Sequence, residues 1–244
     1  MLRAVLFDYG DTLFHFRYRE ELIEEGWRAG LAAIGREGLP HHVETAEVFR
    51  DVYLPAIFAP SQIDEVEYPG LLRELLAGFG VEVTDDELDR FLIAEHESWD
   101  VARELGVHAH ELLDGLRGLG LQLCLVSNVF NPGWLIRRDL DALGLAERLD
   151  AIVLSSEVGK RKPHPAIYRA AVEALDVVPE DCLFVGDRRY EDVRGPAELG
   201  MRTALARWFR VDEDPRGADP DLVADDPLDV LAYARRLLAG TGPV

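Results

Sequence analysis

The residues of this chain that could do chemistry stand directly behind short apolar runs. Asp8 closes the first run within "LFDYGDTLF". Ser127 and Asn128 follow "LQLCLV", Ser155 and Ser156 follow "DAIVL", and Asp187 follows "DCLFVG", with Asp192 a few residues beyond. After the third run comes a loop, "GKRKPHP", that carries Lys160 and Lys162. Of the 26 basic residues these two are the only lysines. Codon composition accounts for a general preference for arginine, but not for both lysines falling in one loop. That loop is therefore a candidate for chemistry that needs a compact ammonium, and a small anion is the ligand it would suit.

Such residues need elements to position them. The runs at 3–9, 121–128, 150–156, 181–187 and 202–206 read as buried strands, and helical patterns separate the later ones. Strands alternating with helices predict an α/β fold, a Rossmann-like parallel sheet covered on both faces. In an open parallel sheet ligands bind at the carboxyl ends of the strands, which is where these polar residues converge.

The interval between the first and second runs, about a hundred residues, is far longer than the dozen or so a crossover needs. It is expected to be a subdomain with helices near 18–37, 43–58, 68–79 and 84–105. Thr84 and Glu87 in "VTDDEL" supply a capping box at the start of the last of these. With no strand pattern inside it, the segment reads as an α-helical cap. The expected division is a core of 1–15 and 107–244 and a cap of 16–106. Trp27, Phe49 and Trp99 are read as packing residues, "VDEDPRGADPD" (211–221) as a surface loop, and 227–239 as a final helix.

Bulk properties narrow the partners. A net charge of -20 argues against nucleic acid and anionic membrane, because phosphates would be repelled over most of the surface. No apolar run approaches the roughly 18 residues needed to span a bilayer, and Met1 to Arg3 lead straight into a strand; a soluble, cytoplasmic protein is expected. Cys124 and Cys182 lie within apolar runs and read as buried hydrophobes.

The four segments "FDYGDTL", "LVSN", "KPHPAIY" and "FVGDRRYEDVRG", in this order and each at a strand end, resemble the haloacid dehalogenase superfamily. Members are mostly magnesium-dependent phosphatases with an α/β core and an inserted cap, and the resemblance covers nearly the whole chain. It implies that Asp8 is the nucleophile that forms an aspartyl-phosphate. It assigns Thr12, Ser127 and Asn128 to the phosphate site, and Lys162 to neutralising phosphate and nucleophile. Asp8, the carbonyl of Gly10, Asp187 and Asp192 are the implied ligands of Mg2+, and a small phosphorylated molecule is the implied substrate.

One departure stands out. In most phosphatases of the family the second residue after the nucleophile is an aspartate that protonates the leaving oxygen; here it is Gly10. Asp11 is the candidate replacement, with His15 and Tyr18 as others. A dehalogenase-type reaction without a metal and an inactive phospho-ligand binder are the alternatives. The acidic pair Asp187 and Asp192 weighs against the former, and the retained motif residues weigh against the latter. Phosphonate cleavage is set aside because it would need a cap lysine and the insert has none. The motifs specify neither substrate nor oligomeric state.

Overall fold

The computed structural model describes residues 1–59 and 61–240. The chain opens with β1 (Ala4–Phe7) and β2 (Phe14–Phe16), followed by α1 (Glu21–Ile34), α2 (His42–Val48), α3 (Leu54–Ile57), α4 (Tyr68–Gly78) and α5 (Asp85–Glu97). After β3 (Arg103–Leu105) come α6 (Ala109–Gly118), β4 (Gln122–Ser127), α7 (Gly133–Ala142), β5 (Ala151–Leu154), α8 (Ser155–Val158) and α9 (Pro165–Leu175). The chain finishes with β6 (Cys182–Gly186), α10 (Gly195–Ala197), β7 (Arg202–Ala206), β8 (Leu222–Ala224) and α11 (Pro227–Leu238).

Six strands form one parallel sheet in the order β5-β4-β1-β6-β7-β8. Alternating residues serve its two faces, as period-two geometry requires. Val5, Phe7, Leu123, Leu125, Leu183 and Val185 pack with leucines of α6, α7 and α11. Their neighbours Leu6, Cys124, Val126 and Phe184 pack against α9 on the other face. Both cysteines are free and buried, as expected. The five strands read from the sequence are all present. β8 falls between the 211–221 loop and the final helix, where "LVA" is too short to show a period.

The insert gathers a hydrophobic cluster of its own around Trp27, Phe49, Tyr68, Leu72, Leu76 and Phe91, to which the core adds Leu135. The Thr84 capping box forms: its Oγ1 accepts from the Glu87 amide at 3.2 Å, and Glu87 Oε2 accepts from the Thr84 amide at 2.9 Å. The expected helix at 84–105 stops at Glu97, and the expected 43–58 helix is α2 and α3 joined by a π turn at Phe49–Tyr53.

The reading of the insert as wholly helical needs correction. β2 and β3 pair antiparallel, Phe14 opposite Leu105 and Phe16 opposite Arg103, so a two-stranded ribbon joins its ends to the sheet. Three-residue strands carry no periodic signal. A second tie runs from 63–65 to the lysine loop: the Arg161 amide donates to Ile63 O at 2.9 Å and the Glu65 amide to Gly159 O at 3.1 Å. Lys160 forms an ion pair with Asp64 across it. No helix among the described residues is long and apolar enough to cross a membrane.

Helices α1 and α5 approach closely because Gly30 faces a ring. A Cβ at Gly30 would lie 2.6 Å from carbons of Phe91, which is fully buried and cannot swing away. Gly30→Val should lower the unfolding free energy by about 1–3 kcal/mol through overpacking, read from urea denaturation.

Candidate active site

β1 lies at the centre of the sheet, with β4 and β6 on either side. The residues that leave these three strands therefore meet at one carboxyl edge. Asp8 follows β1, and its amide donates to Val185 O at 2.9 Å, continuing the ladder by one step. Ser127 ends β4, and Asp187 follows β6; both side chains are buried.

Lys162 reaches this edge from its loop. It is 3% exposed, and its Nζ donates to Asp8 Oδ1 at 2.6 Å and to Asp192 Oδ1 at 2.7 Å. Burial opposes its charge, but the two carboxylates outweigh burial and hold the ammonium above its ordinary range. Asn128 fixes the lysine's main chain from both sides: Oδ1 accepts from the Lys162 amide at 2.7 Å and Nδ2 donates to Lys162 O at 3.2 Å. Its amide is thus spent on orienting Lys162. Lys160, one turn of loop away, belongs to the tie with the insert instead.

Asp8, Asp187 and Asp192 each offer a carboxylate oxygen within 4.8 Å of the other two. Asp192 lies in a π turn at Arg189–Arg194 and folds back over β6, its Oδ2 accepting from the Arg188 amide at 3.0 Å. Gly186 permits this approach, since a Cβ there would meet the Asp192 carboxyl at 2.4 Å. Asp187 is 1% exposed, and neither of its oxygens accepts a hydrogen bond; Arg210 Nε stands 3.3 Å from Oδ2 as an ion pair. Desolvation first, then the charges of Asp8 and Asp192, push the Asp187 carboxyl well above the usual carboxylate range. Desolvation also raises Asp192, although Lys162 opposes the shift. Buried anions this close need positive charge, and a bare pair of carboxylate oxygens is the donor set a hard cation takes.

The turn after Asp8 holds the remaining candidates. Gly10 has no positive φ, and a Cβ on it would meet nothing closer than Phe14 at 3.9 Å, so packing does not demand glycine. Asp11 carries the unusual backbone, with φ at 54°. Its Oδ1 accepts from the Phe16 amide at 3.2 Å and lies 2.9 Å from His15 Nδ1. Thr12 is buried, with its Oγ1 free of partners.

A cavity of about 810 Å³ opens over this edge and runs up to the insert. Asp8, Gly10, Asp11, Ser127, Asn128, Lys162 and Asp187 line its floor, and Tyr18, Phe58 and Trp99 are among its upper walls. His15 is not among the lining residues; its ring stacks on Phe209 at 4.9 Å.

A family model described as haloacid dehalogenase-like hydrolase matches residues 2–200. The chain belongs to this family. Among curated relatives, the glyceraldehyde 3-phosphate phosphatase of Methanopyrus kandleri is 29% identical over 241 residues, 97% of this chain and 99% of its own. The phosphoserine phosphatase of Thermus thermophilus is 37% identical over 118 residues, 48% and 46% of the two chains. In fold, the 2-haloacid dehalogenase of Pseudomonas syringae superposes with a TM-score of 0.68 at 19% identity, covering 97% of this chain and 100% of that one. This haloacid dehalogenase-like chain is an enzyme of the hydrolase class, and the two curated relatives named above are phosphatases.

Some residues around the family's catalytic edge left no mark in the sequence. Arg210 comes from a loop without pattern. A buried polar group joins insert to core: His96 Nε2 lies 2.8 Å from Asp139 Oδ2, Asn131 Nδ2 lies 2.8 Å from His96 Nδ1, and Arg103 Nη2 lies 3.0 Å from His96 Nε2. Tyr9, next to the aspartate of the first motif, buries a hydroxyl with no partner, and burial raises its pKa. Its position beside Asp8 was the one available signal.

The raised Asp187 carboxyl has a consequence for stability in chelator. The folded state keeps the proton that the unfolded chain releases at about pH 4, so folding weakens as pH rises from there toward the raised folded value. Asp187→Asn cannot ionise and escapes that penalty. Urea denaturation in EDTA should find the variant more stable than the parent at pH 8, with the difference shrinking as pH falls toward about 4.

Proposed function

We propose that this chain is a magnesium-dependent phosphatase of a small phosphorylated molecule, working through an aspartyl-phosphate on Asp8, with residues 16–106 as the cap over the site. The observation that carries the reading is the buried group of Asp8, Asp187 and Asp192, knitted by Lys162 on one side and bare of donors at Asp187. A metal-free dehalogenase would gain nothing from an undonated buried carboxylate.

Asp8, Asp187, Asp192 and the main-chain carbonyl of Gly10 would hold the ion. Bound magnesium supplies the positive charge against which a carboxylate can approach a phosphate dianion. Lys162 shares this task, and its hydrogen bond to Oδ1 aims Asp8. Ser127 and Thr12 offer hydroxyls to the phosphoryl oxygens, with Asn128 holding the lysine loop beneath them. Asp8 attacks phosphorus, the bond from phosphorus to the alcohol oxygen breaks, and that oxygen takes a proton. Water then attacks the aspartyl-phosphate, gives up a proton and releases inorganic phosphate, which restores Asp8.

Asp11 takes the proton-transfer role in this reading. It is a carboxylate on the nucleophile's own turn, it lines the cavity, and His15 Nδ1 at 2.9 Å gives it a neighbour with which to exchange the proton. Among substrates of relatives, glyceraldehyde 3-phosphate is one to assay, since the M. kandleri enzyme named for it aligns over nearly the whole chain.

The purified protein should hydrolyse p-nitrophenyl phosphate with Mg2+, lose the activity in EDTA, and lose it in the Asp8→Asn variant. Saturation at about 100 times Kd should also raise Tm by roughly 5–10 °C for a chain of this size. Activity that survives both chelation and Asp8→Asn would end the proposal.

The proton-transfer role has its own test. General acid catalysis is worth about 10²- to 10⁴-fold, and a phenolate leaves without much help, so Asp11→Asn should slow an alkyl phosphate far more than p-nitrophenyl phosphate. Gly10→Asp, whose Cβ would meet nothing closer than Phe14 at 3.9 Å, should speed the alkyl phosphate. Equal loss on both esters in Asp11→Asn would remove Asp11 from the role.

A further inference from the structure

We infer that the phosphate ester taken by this enzyme carries a bulky, uncharged and largely aromatic or apolar group on its alcohol side, with no second anion. The inference rests on the phosphatase reading above and names the substrate class of the same site.

Size and lining supply the first half of the argument. A cavity of about 810 Å³ lies in the range that encloses a ligand of drug size, and a two- or three-carbon phosphate would leave most of it to water. Beyond the catalytic floor its walls include several rings. Trp99 stacks between Phe16 and Tyr18, with centroids 5.6 and 6.0 Å apart, and Phe58 meets Phe130 edge-on at 6.0 Å. Tyr18 and Phe58 are each 57% exposed although both line the cavity, so ring surface is left uncovered in its upper walls, with Arg161 over part of the Phe58 ring at 5.7 Å. Rings that are left uncovered in a cleft gain free energy when an apolar group dries them.

Charge supplies the second half. A substrate carboxylate needs an unspent cation, and among the described residues every arginine that lines the cavity is already paired. Arg50 holds Asp51 at 2.7 Å, and Arg103, Arg161 and Arg188 hold Asp139, Glu65 and Glu191, each at 3.4 Å. Lys162 is committed to Asp8 and Asp192. A carboxylate entering above the phosphate would meet Glu20, Glu95 and Asp139 instead of a free guanidinium. Esters such as phosphoglycolate and phosphoserine are therefore disfavoured by the same cavity that welcomes a ring.

The test compares kcat/KM in Mg2+ for 2-phenylethyl phosphate, glyceraldehyde 3-phosphate, phosphoglycolate and phosphoserine, with p-nitrophenyl phosphate as control. The four esters all release alkoxides, so differences among them report the cavity and not leaving ability. We expect 2-phenylethyl phosphate to exceed each of the others by about tenfold or more, in line with what a buried apolar group contributes to discrimination. Phe58→Ala and Tyr18→Ala, both at exposed positions where folding is not at stake, should raise KM for 2-phenylethyl phosphate several-fold more than KM for glyceraldehyde 3-phosphate. A preference for any of the three small esters, or variants that shift all KM values equally, overturns this inference and leaves the phosphatase reading standing. Failure to cleave any ester, p-nitrophenyl phosphate included, overturns both.

Discussion

The arrangement turns on one buried ammonium. Lys162 sits 3% exposed between Asp8 and Asp192, and a lysine in that position is tolerable only because both carboxylates accept from it. The reverse holds as well, since Asp8 and Asp192 could not share so small a volume without it. Ionising all three carboxyl groups against one ammonium would leave two negative charges in the cluster, only partly met by Arg210 at 3.3 Å from Asp187. The residual charge and the undonated oxygens of Asp187 form the physical case for a cation there.

Such a cluster has to be delivered from parts of the chain that are far apart. The strand order does half of this, because β4, β1 and β6 are neighbours and end together. Lys162 is delivered differently: Asn128 grips its main chain, and the residues just before it are bound to the insert by main-chain hydrogen bonds and two ion pairs, Lys160 with Asp64 and Arg161 with Glu65. The insert therefore braces the loop that carries the ammonium as well as roofing the cavity.

What could be read from the sequence follows from which forces are local. Fully buried strands announce themselves as apolar runs, and the polar residue behind each run is the one delivered to the sheet edge, so Asp8, Ser127 and Asp187 were legible without coordinates. The Thr84 capping box was legible because both partners lie within one turn. The ribbon of β2 and β3 was not, since its two strands are three residues each and separated by the whole insert. Likewise His96 and Asp139 lie 43 residues apart on different layers, and each alone looks like an ordinary residue of an amphipathic helix. Asn128 stands in the second motif beside Ser127, and its amide also grips the lysine loop, a long-range pairing that no local pattern encodes.

Gly10 is the remaining oddity, and the geometry makes it chemical in character. The fold has no use for glycine there: φ is ordinary and a Cβ would have space. The left-handed residue is Asp11, a conformation aspartate tolerates better than most side chains. The carboxylate of this turn is thereby displaced by one residue and tied at Oδ1 to the Phe16 amide and to His15, both in β2 of the ribbon that joins insert to core. If Asp11 handles the proton as proposed, its aim depends on the ribbon, and any shift of the insert that bends β2 against β3 also moves the group that protonates the leaving oxygen. Substrate contact with the aromatic wall and proton delivery at the floor would then be coupled through the same short pair of strands.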